Sequence, residues 1–267
     1  MTPALRTPII GAMAAIAATA AMDAVGLSGL GFAALFPLLL VFWAVQRLPA
    51  KSLGFAFGGW RHYAMAIAYP LVVVGAIAAV CLATGAADAS HLDWRAAGGA
   101  FAGALLMTFV LALLTEEGFF RGWLFASLRR TGLDDGATAI WTGIAFALWH
   151  LPAVTMSAED ALPLAQVPVL LLNAAVIGAT WGLLRAVSKS IVVTSLCHAV
   201  WNAAVYVFFG YGTTVGALGV TDTALYGPES GWLGLGVNLV VAGAVWHAWR
   251  RRREASATIA FAPAAVG

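Results

Sequence analysis

The chain is built from apolar runs of roughly 18 to 25 residues parted by short polar breaks, the length at which an α-helix crosses the hydrocarbon of a bilayer. Inside a bilayer each backbone N–H and C=O must find its partner within the protein, so such runs are committed to helices or a closed barrel. The alternating segments that mark a barrel are absent. Composition agrees, because 62% of the 267 residues are hydrophobic, 10% are charged and the mean hydropathy is +0.90. That leaves too few polar groups to coat a water-facing surface. The expected fold is all-α: a polytopic integral membrane protein of about eight transmembrane helices, with residues 1–267 forming a single membrane domain.

Spans are expected near Pro8–Met22, Leu27–Val45, Ala64–Thr84, Ala97–Leu128, Ala137–Pro152, Leu162–Ala186, Ile191–Phe209 and Trp232–Trp249. The breaks carry Gly, Pro and Asp, as in Gly58-Gly59 and Asp134-Asp135-Gly136, and a Gly-rich connection runs from Gly210 to Gly231. Positively charged loops stay cytoplasmic. In an eight-span arrangement Arg6, Arg47, Lys51, Arg61, Arg129, Arg130, Arg185, Lys189 and Arg250 to Arg253 share one side. The other side has Arg95 with Asp23, Asp88, Asp93, Glu159, Asp160, Asp222 and Glu229. Both termini are therefore expected in the cytoplasm, with the chain in an inner or plasma membrane. A formal charge of +2 is too mild for a nucleic-acid partner. Cys81 and Cys197 lie in apolar runs without CxxC spacing and read as small apolar fillers.

Once the loops are assigned, few ionisable residues remain at depth: Glu116, Glu117 and Arg121 on span four, His150 on span five and His198 on span seven. A charge there costs several kcal/mol unless paired or wet, which makes each a functional candidate. Glu117 and Arg121, four apart, can neutralise each other, while Glu116 points away on the same helix. Asn202 shares a face with His198, as Phe146 does with His150. At 1.5 Å per residue from the basic ends, Glu116 lies roughly 20 Å in, His150 roughly 22 Å and His198 roughly 14 Å. They can share a cavity between the middle and the cytoplasmic half.

Such a cavity suits water activation. A carboxylate in apolar surroundings becomes a competent base near neutral pH, a neutral imidazole can share the proton, and His198 with Asn202 can hold an oxyanion. The same Glu116, His150 and His198 could instead hold zinc as a three-ligand site, although HExxH is missing.

The segments Glu116-Glu117-Gly-Phe-Phe-Arg121, Phe146-Ala-Leu-Trp-His150 and His198-Ala-Val-Trp-Asn202 resemble the EExxxR, FxxxH and HxxxN motifs of the CPBP intramembrane proteases. That family takes in CAAX-prenyl endopeptidases, bacteriocin-processing proteins and Abi-type proteins, and the likeness covers a core of residues 97–209. It implies an endopeptidase in which Glu116 is the base, His150 assists, and His198 with Asn202 stabilises the oxyanion. Glu117, Arg121 and Phe146 support the site. The family has been described both as metal-dependent and as metal-free, and the residues favour no cofactor because Asn202 serves an oxyanion better than a zinc. The implied partners are membrane lipid and a peptide or membrane-protein substrate, prenylated or not.

Three other readings compete. Gly26-Leu27-Ser28-Gly29 fits the GxSG of serine intramembrane proteases, but it is short in a chain of 29 glycines. A proton-coupled transporter would use the same ionisable residues as a relay, with broken helices in paired halves. A catalytically idle family member would act as a membrane binding partner. Gly99-xxx-Gly103 and Gly178-xxx-Gly182 are expected to mark helix-packing faces.

Overall fold

The computed structural model describes the backbone of residues 3–157, 161–212 and 214–260, and side chains throughout these except at 3, 4, 28, 29 and 256–260. Helix α1 covers Pro3–Ala24; a 3-10 stretch, Ser28–Ala34, leads into α2, Leu35–Gln46; and α3 covers Trp60–Thr84. Helix α4, Trp94–Leu114, passes into a π-helical segment, Glu117–Leu124, and then into α5, Phe125–Arg130. Helices α6, Asp135–Met156, α7, Val167–Ser188, and α8, Ile191–Phe208, follow. A two-strand hairpin, β1 Gly210–Tyr211 with β2 Thr214–Val215, and a short α9, Thr223–Tyr226, lead to α10, Trp232–Ala260. Among the described residues seven helices are long and apolar enough to cross a membrane, and Leu30–Gln46 forms a shorter eighth apolar helix. The chain is an all-α polytopic membrane protein.

The polar breaks act as helix caps. Asp93 accepts from the N–H groups of Arg95 and Ala96, Asp134 from that of Ala137, and Ser190 from that of Val193, each satisfying donors that a helix start leaves open. Within the bundle, α6 packs closely on α7, while α3 and α4 both lie against α8. Small residues make the α6–α7 approach possible. A Cβ at Gly143 would fall 2.6 Å from the Ala175 carbonyl oxygen, and one at Gly182 would fall 2.8 Å from the Ala139 Cα. Gly178 and Gly182 therefore mark a packing face as expected. Gly99 and Gly103 do not: a Cβ at either meets nothing within 4 Å, because that side of α4 looks outward.

Contacts at the helix ends define two faces. On the basic face Gln46 meets Ser127 and Arg130, Arg129 pairs with Asp135, Arg253 pairs with Asp134, and the Ile191 N–H reaches the Gly54 carbonyl. On the opposite face Trp149 donates to Thr19, the Asp88 N–H reaches Leu218, and Asn173 donates to the carbonyls of Pro228 and Glu229. Arg185, read from sequence as a loop cation, is in fact 6% exposed. Its guanidinium donates to the carbonyl oxygens of Arg121 and Ser52.

Candidate active site

Span four does not stay α-helical where its charges lie. After Leu114 the backbone widens into the π-helical segment, a local distortion that often accompanies functional sites because it re-aims side chains without breaking the helix. Glu116 is the last residue before it and Glu117 the first inside it. The Arg185 guanidinium secures the segment by donating to the Arg121 carbonyl at 3.0 Å.

The two glutamates have separate surroundings. Glu117 and Arg121 are both 0% exposed and pair at 3.1 Å. Arg121 also donates to the Gly178 carbonyl, and its guanidinium lies 4.3 Å from the Phe146 ring centre. Glu116 faces a cavity of about 480 Å³, with its side chain 18% exposed. His198 stands between them: Nδ1 lies 3.2 Å from Glu117 Oε1, and Nε2 lies 3.8 Å from Glu116 Oε2. A carboxylate only accepts, so Nδ1–H donates to Glu117 and Nε2 is turned toward Glu116 and the cavity. His150 is held differently. Its Nδ1 is 2.8 Å from the Phe146 carbonyl, which also only accepts, so Nδ1 carries the hydrogen and Nε2 of the neutral ring keeps a lone pair.

Glu116, Phe146, His150, His198 and Asn202 all line this cavity, while Glu117 and Arg121 form a buried layer beneath it. Phe146 packs edge-on against His150 and His198, with ring centres 4.5 and 6.2 Å away. Of the donors considered for zinc, Glu116, His150 and His198 all face this cavity. Among the described residues no group of three or more His, Cys, Asp and Glu is gathered as a metal site, and Glu116 and His198 stand 3.8 Å apart. The GxSG serine belongs to the 3-10 stretch Ser28–Ala34, and its side chain lies outside the described residues.

Two neighbours escaped the sequence reading. Trp181 lies 4.5 Å from His198, ring centre to ring centre. Glu229, expected on a solvent loop, comes back into the cavity wall, where it accepts from the Trp201 indole at 2.8 Å. Burial pushes its carboxyl above the ordinary glutamate value despite that hydrogen bond. Only the position of Trp201 inside the third motif hinted at it. The cavity's placement also differs from expectation. Depth counting put it toward the cytoplasmic half, but its lining continues past Asn202 to Phe209, Tyr211 and Thr214, on the face away from the basic loops.

No curated protein matches the chain. Residues 98–204, which contain all three motifs, match the family described as Rce1-like, type II CAAX prenyl endopeptidase Rce1-like. At family level this supports a membrane endopeptidase. That segment, which supplies the cavity's charged floor, is similar to the CAAX prenyl endopeptidase family of intramembrane proteases.

Proposed function

We propose that this protein hydrolyses a peptide bond with a water activated by Glu116, without a covalent intermediate. The observation that carries the reading is the position of His198, held by Glu117 on one nitrogen and turned toward Glu116 on the other, in the cavity that also holds His150 and Asn202. A water between Glu116 and His150 Nε2 gives its proton to the carboxylate as its oxygen adds to the scissile carbonyl carbon. The oxyanion that forms accepts from the Asn202 amide and from His198. Because Nδ1–H is committed to Glu117, His198 serves the oxyanion through a second hydrogen on Nε2, a doubly protonated ring flanked by two carboxylates. Glu116 then returns the proton to the amide nitrogen, the C–N bond breaks, and an acid and an amine leave. Glu117 and Arg121 act through His198 as positioning residues.

The substrate is a peptide or a membrane-protein segment, and the family makes a prenylated peptide the natural first probe. The chain sits in a cell's inner or plasma membrane with both termini cytoplasmic. The test uses purified enzyme, in detergent, on quenched peptides with and without a prenyl group. Wild type should cleave, Glu116→Gln should not, and a metal chelator should leave the rate unchanged. Loss of activity on chelation with recovery on added zinc would replace this mechanism by the metal-dependent one.

A further inference from the structure

The cavity is closed at one end and open at the other. Its floor is Glu116 and His198, and beneath them lie Glu117, Phe119, Phe120, Arg121 and Trp123, each 0% exposed. This layer, with the buried Arg185 against Gly54, separates the site from the basic face. Toward the other face the wall rises through Asn202 and Glu229 and ends at Tyr211, Gly212, Thr214 and Thr223, all exposed. Asn173 donates both amide hydrogens, to the carbonyls of Pro228 and Glu229, and so ties this rim to α7.

Most of the loop cations gather at the sealed end, Arg47, Lys51, Arg129, Arg130, Lys189 and the Arg250–Arg253 cluster, while Arg95 stands at the other. Since basic loops remain cytoplasmic, the open end faces away from the cytoplasm. We propose that this protease takes its substrate from the non-cytoplasmic side, so that its substrates are polypeptide segments presented there, such as the outer ends of membrane-anchored proteins or translocated peptides. A cytoplasmic tail, prenylated or not, meets the sealed layer. The cut itself rests on the mechanism above, whereas the position of the mouth does not.

The chain's two native cysteines, Cys81 and Cys197, are buried and free, which leaves single-cysteine labelling clean. Thr214→Cys reports the rim and Lys51→Cys the basic face, both exposed positions. In intact cells a membrane-impermeant maleimide should label Thr214→Cys as fully as after permeabilisation, and Lys51→Cys only after permeabilisation. The reverse pattern would overturn the proposal. A second arm compares protein N-termini in membranes expressing wild type or Glu116→Gln. Glu116-dependent cuts should map to non-cytoplasmic segments, of anchored or released chains. Cuts confined to cytoplasmic tails would overturn the proposal. With no Glu116-dependent cuts the protease reading falls, and the labelling result alone decides where the mouth opens.

Discussion

Replacing each of the adjacent glutamates by glutamine separates the two roles assigned to them. Glu117→Gln removes the charge that pairs with Arg121 at 3.1 Å and accepts from His198 at 3.2 Å, where Glu117 and Arg121 have no exposure at all. Arg121 would keep the Gly178 carbonyl but lose the carboxylate bonded to it. Breaking a buried pair by removing one partner costs about 3–5 kcal/mol. At about 2–4 °C per kcal/mol for a domain near this size, the melting temperature should fall by about 6–20 °C. Glu116 makes no contact that short: His198 Nε2 lies 3.8 Å from it, and its side chain is partly open to the cavity. Glu116→Gln should therefore cost about 1 kcal/mol or less in stability. Its kcat should nonetheless fall by at least about 10²-fold, because the amide cannot take the water's proton. The assay is a melting curve in detergent beside the cleavage rate for both variants. A Glu117→Gln protein as stable as wild type but inactive would reverse the roles, and an active Glu116→Gln enzyme would remove the proposed base.

Asn202→Ala should lower kcat by about 10²–10³ with little change in KM, the loss seen when one oxyanion donor is removed; an unchanged kcat would place the oxyanion elsewhere. The Glu229 carboxyl is raised by burial, so its contribution to stability is fully present below the ordinary glutamate value and is lost as pH rises through the raised folded value. Wild type should thus gain in melting temperature over Glu229→Gln as pH falls through that window, and a pH-independent difference would mean that the group is not desolvated. Gly143→Ala must force a Cβ to 2.6 Å from backbone atoms of α7 and should cost about 1–3 kcal/mol. Gly103→Ala meets nothing within 4 Å and should be neutral or stabilising by up to about 1 kcal/mol, readable in the same melts.

Glu116, Glu117, Arg121, His150 and His198 were legible because an ionisable side chain deep in an apolar run stands out from its surroundings. The Glu117–Arg121 pair followed from their separation along the helix, and the structure places it at bonding distance. What sequence could not supply was the third partner: His198 reaches Glu117 from 81 positions away, and only the packing of α8 onto the widened segment joins them. Arg185 and Glu229 were misplaced for a common reason. Both sit near the ends of apolar runs, where a charge is free to face water, and nothing local says that the chain folds back over them. The open glycines of α4 failed the packing expectation because small-residue spacing records that a close approach is possible, not that a partner helix is there. The sealed end of the cavity was invisible for a related reason. Helix counting measures distance along one axis and says nothing of which layer of side chains is continuous.

The widened segment between Glu117 and Leu124 has a consequence for how such a site can vary. Its hydrogen-bond loops hold one residue more per turn than the α-helices on either side, so it works as a phase shifter in the helix. Substitutions there change a side chain and leave the phase alone. Deleting a single residue would let the stretch relax to regular winding with its two ends in nearly their present phase, but it would re-aim the side chains between them, among them those of Glu117 and Arg121. The apolar run would remain long enough to span, and hydropathy would barely register the change. Length, more than residue type, is therefore what this stretch cannot give up.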